Sequence, residues 1–208
     1  MRTEIGHFAI ETDDRRYEFI PSFKNIREIC SPAEMPMFYA RLFGAEIQAA
    51  YTESLAKSAM CRMYDAAALV MQMCCTNEDA RRLTGFADYS TGKRVWRLGA
   101  MPAKQMLIIA RSLINHGLVG VARDSDKSKQ GDASDSIDVY NYVHLAIAHL
   151  GMTKEIAENM TKTEFDSIVD LKYPDKNKGK HPTAKQHDSA MDWLDQVNAR
   201  RAAAKGAK

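Results

Sequence analysis

The stretch RTEIGHFAIETDDRRYEFIPSFKNIREI at residues 2–29 decides the fold class. Phe8 and Ile10 alternate with polar neighbours, and Tyr17 and Phe19 do the same after two intervening aspartates. Alternation with a period of two around a polar turn is typical of a β-hairpin, because successive side chains of a strand point to opposite faces. The sequence therefore predicts a small hairpin at the N-terminus.

A helix is predicted directly after this hairpin. Pro21 ends the second strand because proline has no backbone N–H and a fixed φ. Ser22 is placed to cap a helix that carries Phe23, Ile26 and Ile29 on one side.

Most of the remaining chain has helical periodicity. A capping box opens a helix at Ser31–Glu34, and Pro36 fits there only within the first turn. The longest apolar stripe runs over five turns and predicts a central helix; it comprises Leu55, Ala56, Ala59, Met60, Met63, Ala66, Ala67, Val70, Met71 and Cys74. A strand at residues 95–98 is predicted to pair with the N-terminal hairpin.

Further helices follow the central one. A helix should begin at Pro102 and end at His116 and Gly117. A second capping box, Thr161–Glu164, and a third, Thr183–Gln186, open two later helices.

The predicted fold is mainly α, with a small N-terminal β-hairpin. We expect a hairpin and helical core domain over residues 1–120 and a helical C-terminal region with a basic, frayed tail over residues 137–208. The polar segment at residues 121–136 separates them as a flexible linker or exposed loop.

Bulk properties favour a cytoplasmic protein without membrane contact. Apolar runs are far shorter than the roughly 20 residues that span a bilayer, and the N-terminus lacks the apolar core of a secretion signal. The formal charge of +2 gives no general attraction to nucleic acid. In a reducing compartment the four cysteines are expected to be small apolar core residues; they are Cys30, Cys61, Cys74 and Cys75.

The sequence offers no constellation for catalysis, cofactor binding or metal binding. Asp124, Asp126, Ser128 and Asp135 match EF-hand spacing, but Lys129 stands where the loop needs glycine, so we interpret them as a solvated loop. The histidines lack zinc spacing, and we expect His144 and His187, which fall on apolar stripes, to be hydrogen-bonded core residues. We therefore predict a protein that is not an enzyme.

Two surface features remain after this search. Basic clusters lie near the C-terminus and are more simply explained as solvated ends than as a nucleic-acid site; they comprise Lys176, Lys178, Lys180, Lys185, Arg200, Arg201, Lys205 and Lys208. The chain also has 12 methionines, whose flexible side chains adapt to varied apolar partners. Those off the central stripe or near helix starts are candidates for a partner-binding groove, namely Met35, Met37, Met73, Met101 and Met106.

Three segments resemble the tail-assembly chaperones of long-tailed (siphovirus-type) bacteriophages. They are YEFIPSF at residues 17–23, LGAMPAKQMLIIARSLINHGLVG at 98–120 and AHLGMTKEIAENMTKTEFDSIVDLKYPDK at 148–176. The positions that carry the resemblance are Tyr17, Phe19, Pro21, Phe23, Gly99, Pro102, Phe165 and Pro174.

The resemblance implies a non-enzymatic role in phage assembly. Proteins of that family bind the tape-measure protein in the host cytoplasm, keep it soluble while the tail tube polymerises, and leave before the virion is finished. The tape-measure protein is then the expected partner, with the tail-tube protein as a second one.

Two alternatives stay open at this point. The chain is a structural tail or connector protein that remains in the virion, or it is a small nucleic-acid-binding regulator that uses its basic C-terminal end.

Overall fold

The computed structural model describes residues 6–88, 90, 92, 95–120 and 136–173. The chain divides into two compact units, Met1–Val169 and Asp170–Lys208. Several predictions concern residues outside the described part: the EF-hand-like positions, Pro174, the third capping box with His187, and the basic clusters. In the part that is described, no helix combines the length and apolarity needed to cross a membrane.

The N-terminal hairpin forms as predicted. Strands β1 (Phe8–Glu11) and β2 (Arg16–Phe19) pair antiparallel, with Phe8 opposite Phe19 and Ile10 opposite Tyr17. Tyr17 and Phe19 are buried, so this hairpin contributes aromatic side chains to the core.

Helix α1 (Phe23–Arg27) follows β2 as expected. The Ser22 hydroxyl caps it by accepting from the Asn25 N–H at 3.3 Å. Phe23 and Ile26 are fully buried.

Helix α2 (Met35–Leu42) begins later than its capping box predicts. Ser31 N and Oγ both donate to the Glu34 carboxylate, at 3.2 and 2.6 Å, but the reciprocal bond from the Glu34 N–H goes to the Ser31 carbonyl instead. The intervening residues form turns, and the α-helix starts only at Met35. Pro36 lies in its first turn, as required.

The central helix, α4 (Glu53–Cys74), is confirmed. It follows the short helix α3 (Ala45–Gln48) and is capped by the Thr52 hydroxyl, which accepts from the Leu55 N–H at 3.3 Å. The stripe is buried at Ala59 and from Met63 to Cys74, but Leu55 and Met60 are 42% and 41% exposed, contrary to their place in the predicted stripe.

A second hairpin follows the short helix α5 (Arg81–Thr84). Strands β3 (Phe86–Asp88) and β4 (Val95–Arg97) pair only with each other, so the prediction that residues 95–98 join the N-terminal hairpin is wrong. The outer edge of β2 is already occupied, because Ile20 N donates to Cys74 O and Thr76 N donates to Glu18 O.

Helix α6 (Ala103–Ile114) begins after Pro102 as predicted, but it does not end at Gly117. It continues as a π-helical turn, Asn115–Val119, and stops at Gly120, where φ is +80°. Gly117 is instead a packing position, since a Cβ there would lie 2.7 Å from Pro21 O and from an Ile26 side-chain carbon.

Helices α7 (Tyr140–Leu150), α8 (Lys154–Asn159) and α9 (Lys162–Lys172) follow. The capping box of α9 is complete: Glu164 Oε2 accepts from Thr161 N at 2.7 Å, and Thr161 Oγ1 accepts from Glu164 N at 3.2 Å.

The predicted domain division differs from the observed one. The ring of Phe23 on α1 stacks on the Tyr142 ring, with 5.7 Å between centroids, and packs edge-on to the Phe165 ring at 6.2 Å. The backbone N–H of Phe23 donates to Met160 O at 2.9 Å. Residues 137–169 therefore share the core of the N-terminal helices, and one compact unit includes both. The sequence alone does not show which distant residues cover the apolar side of α1.

Candidate functional site: a groove along helix α4

Three neighbouring cavities lie along the outer side of α4. The first, of about 450 Å³, lies between α2 and α4 and includes Met37, Phe38 and Leu69 in its lining. The second, of about 570 Å³, lies between α4 and the β3–β4 hairpin, where Phe86 and Trp96 contribute.

The third cavity, of about 220 Å³, lies beside the end of β4. Its lining is largely apolar and includes Tyr64, Trp96, Leu98, Met101 and Met106. A cavity of this size and chemistry suits a single apolar side chain.

The three cavities lie next to one another and share lining residues, and we call the three together the α4 groove. Asp65 lines all three, Leu69 lines the first and second, and Trp96 lines the second and third. The groove thus follows α4, with α2 on one side and the second hairpin on the other.

The spacing of the α4 residues explains the floor of the groove. Cys61, Asp65, Leu69 and Gln72 are separated by four, four and three positions, which places them on one face of a helix. The opposite face is packed in the core through Ala67, Val70, Met71 and Cys74. Gln72 also joins the floor to the groove wall, since its amide donates to Gly85 O at 3.0 Å.

The second hairpin is held in place by two glycines. A Cβ at Gly99 would lie 2.2 Å from Leu83 O, and a Cβ at Gly85 would lie 2.3 Å from Arg97 O. Only glycine permits this close approach of the two chain segments. The approach brings Trp96 and Leu98 to the edge of α4.

Apolar side chains at the rim are largely uncovered. Leu98 is 89% exposed and Met37 is 66% exposed, while Phe86 on the second hairpin is 40% exposed. Side chains of this kind near cavities mark candidate contact surfaces for another molecule.

A group of charges lies at the α2 end of the groove. Glu46 accepts from Arg41 Nε at 2.8 Å and from Arg62 Nε at 2.7 Å. The hydrogen bond from Arg41, assisted by Arg62, lowers the pKa of the Glu46 carboxyl. Glu34, at the same end, has a lowered pKa because Ser31 donates two hydrogen bonds to it.

The groove brings together three of the five predicted methionines. Met37 lines the first cavity, and Met101 and Met106 line the third, although Met106 itself is 1% exposed. Met35 is 1% exposed inside the core and Met73 is half-buried and packed against the core, so these two lie away from the groove. A position near a helix start does not by itself show whether a methionine side chain is buried or exposed.

Sequence reasoning missed the residues that line more than one cavity. Asp65, Leu69 and Trp96 lie at the shared walls, yet none belongs to the predicted stripe or to the methionine set. A usable signal was present, because Leu69 is a large apolar residue on the otherwise polar side of α4.

The positions that carry the family resemblance are structural in the described residues. Tyr17, Phe19, Phe23 and Phe165 are buried core aromatics, and Pro21 is buried beside them. Gly99 permits the close approach described above, and Pro102 precedes the first turn of α6.

Two of the side-chain predictions are wrong. His144 is exposed on α7 rather than in the core, because Val143 and Ala146 form the inward face of that helix. Cys61 is exposed on the groove side of α4, whereas Cys74 is fully buried, which raises the pKa of its thiol. Within the described ranges, no group of three or more His, Cys, Asp or Glu side chains is arranged to hold a metal ion.

The fold and the site together define a mainly helical protein with two small hairpins, whose longest helix carries an apolar-rimmed surface groove. The chain belongs to a family of unknown function, DUF6246, whose model matches residues 19–189. No curated protein and no solved structure matches the chain.

Proposed function

We propose that this protein is a non-enzymatic phage tail-assembly chaperone that binds the tape-measure protein through the α4 groove. The observation that carries the proposal is a row of three adjacent cavities along one helix, with exposed apolar side chains at their edges. The resemblance of residues 17–23, 98–120 and 148–176 to tail-assembly chaperones supplies the class of partner.

The dimensions of the groove suit an amphipathic helix. The floor from Cys61 to Gln72 covers three turns of α4, or roughly 17 Å at 1.5 Å per residue. A helix of that length offers apolar side chains at positions i, i+4 and i+7, one for each cavity. Tape-measure proteins are long, helical and apolar, so they contain many such segments.

The chemistry of the rim suits partners of varied sequence. Met37 and Met101 are flexible and polarisable, and Leu98 extends into solvent at the opposite end. Adaptable side chains accept different apolar residues at modest cost, which a protein needs if it holds successive segments of one long chain.

The proposal includes a place and a time. The protein acts in the cytoplasm of the infected host, with the tail-tube protein as a further partner, and it is absent from the mature virion.

Co-expression with the tape-measure protein tests this function. We expect the tape-measure protein to be soluble and to co-purify with the wild-type chain, and to precipitate with the double variant Met37→Glu, Leu98→Glu. Both substitutions are at exposed positions, so the variant should fold. Ile156→Glu is the matched control, because Ile156 is 56% exposed on α8 and does not line the groove.

Two results would contradict the proposal. One is a tape-measure protein that precipitates equally with and without the wild-type chain. The other is this chain at stoichiometric amounts in purified virions, which would favour a structural tail or connector protein.

A further inference from the structure

The two edges of the first hairpin have different surroundings. On β2, Glu18 O accepts from Thr76 N at 2.9 Å, and Glu18 N donates to Asn77 Oδ1 at 2.8 Å. Asn77 Nδ2 also donates to Arg16 O at 2.8 Å. The backbone groups on the outer edge of β2 are thus paired with the chain that follows α4.

The equivalent backbone groups of β1 lie on the opposite edge of the hairpin. Ala9 is opposite Glu18, and Glu11 is opposite Arg16. Opposite residues of an antiparallel pair either bond to each other or both direct their backbone groups outward. Since Glu18 and Arg16 point away from β1, Ala9 and Glu11 direct their N–H and C=O groups away from β2. None of the described residues is hydrogen-bonded to these groups.

This free edge of β1 is accessible and lightly protected. Ala9 and Glu11 are both exposed. Residues 7–11 contain no proline or lysine, which commonly block exposed edges. The Glu11 carboxylate lies 3.5 Å from Arg16 Nη1 of β2, which offsets its charge. An unpaired edge of this kind is a template on which another strand can pair.

We propose that the free edge of β1 binds the same edge of a second copy of this chain, so that two hairpins form one antiparallel sheet in the order β2-β1-β1-β2. With the two-fold axis at Ile10, Ala9 of each copy lies opposite Glu11 of the other. Opposite residues of this kind exchange both of their N–H···O=C bonds, which satisfies the free backbone groups of both copies.

A second copy fits this edge because the arrangement is self-complementary. Half-buried Ile10 meets its own counterpart on the side of the sheet that packs against the core, which adds apolar contact. Glu11 faces the small Ala9 rather than a second carboxylate, so like charges do not lie directly opposite each other. The contact uses no residue that lines the α4 groove, so the inference does not depend on the proposed function.

Analytical ultracentrifugation over a range of concentrations tests this dimer. The contact involves few residues on each side, so we expect a weak dimer that forms between about 10 μM and about 1 mM. Ala9→Pro removes a donor that faces away from β2, so the hairpin should persist while association weakens by about tenfold or more. Ala9→Ser keeps the N–H at the same position and is the matched control, which should associate like the wild type.

Amide hydrogen exchange is a second measurement that needs no substitution. The Ala9 and Glu11 amides should exchange fast in dilute protein and become protected as the concentration rises. The Ile10 amide, which is paired with Tyr17 within the hairpin, should be protected at every concentration. The proposal would be overturned by a chain that stays monomeric throughout that range, by a dimer that Ala9→Pro leaves unchanged, or by a dimer in which the Ala9 and Glu11 amides still exchange fast.

Discussion

The two hairpins of this protein have similar strands and opposite environments. In the first, Tyr17 and Phe19 are 3% and 0% exposed; in the second, Phe86 and Val95 are 40% and 42% exposed. The first hairpin has a paired outer edge and buries its aromatic side chains in the core, whereas the second pairs only with itself and forms one wall of the α4 groove. Whether a hairpin belongs to the core or to the surface therefore depends on which residues pack against it.

The largest difference between the two hairpins is expected when one phenylalanine in each is replaced by alanine. Phe19→Ala should reduce the free energy of unfolding by about 3–5 kcal/mol, because it leaves a large cavity in the core. Phe86→Ala should cost about 1 kcal/mol or less, since that ring is partly solvated already. Denaturant unfolding measures both, and equal losses would show that the second hairpin is also core.

Gly99→Ala tests how the second hairpin is placed. The new Cβ would lie 2.2 Å from Leu83 O, so backbone must move, at a cost of about 1–3 kcal/mol. Thermal unfolding measures the loss, and fluorescence of Trp96 should report its displacement from α4. The control is Gly92→Ala, where nothing lies within 4 Å of the added Cβ, although its φ of +72° adds some strain. If Gly99→Ala costs no more than that control, the close approach does not hold the hairpin.

His116 lies beside the residue that precedes the first hairpin, since a Cβ on Gly6 would lie 2.9 Å from His116 Cβ. Burial lowers the pKa of His116, so we expect it to make stability depend on pH. The folded chain thus favours neutral His116, so its contribution to stability is complete above about pH 6.5 and is lost as the pH falls through the lowered value. His116→Asn should therefore lose less stability than wild type between pH 7.5 and 5.5. An identical loss in both proteins would contradict this assignment.

The smallest effect on stability is expected at the groove rim. Leu98→Ala should change the free energy of unfolding by no more than about 0.5 kcal/mol, because the side chain is 89% exposed. If the proposed function is right, the same variant should weaken capture of the tape-measure protein. A large stability loss would mean that Leu98 is packed, and would remove it from the contact surface.

Local patterns predicted the elements well. Alternation in residues 8–19 predicted the first hairpin, and the stripe from Ala59 to Cys74 predicted most of the inward side of α4. The serine and threonine caps at Ser22 and Thr161 mark real helix starts. These features depend on neighbours within about four residues.

Features that depend on distant residues were mispredicted. The strand at residues 95–97 pairs with β3 because the edge of the first hairpin is taken by the chain after α4. The helix at His116 continues because Gly117 packs on Ile26 and Pro21 rather than forming a cap. The groove methionines were only partly identified, since Met35 and Met37 are two residues apart with opposite burial.

By itself, the sequence determined the helical class, the N-terminal hairpin, the capped helix starts and the buried face of the central helix. Hydrophobic periodicity, prolines, glycines and capping residues act on neighbours within one or two helical turns, so their effects can be recognised from the sequence alone. Only the tertiary structure decided that residues 137–169 join the N-terminal core, that the second hairpin stands beside α4, and that three cavities lie side by side there. Each of those outcomes depends on which surfaces meet across tens of residues, and burial at such contacts is a property of the packed chain.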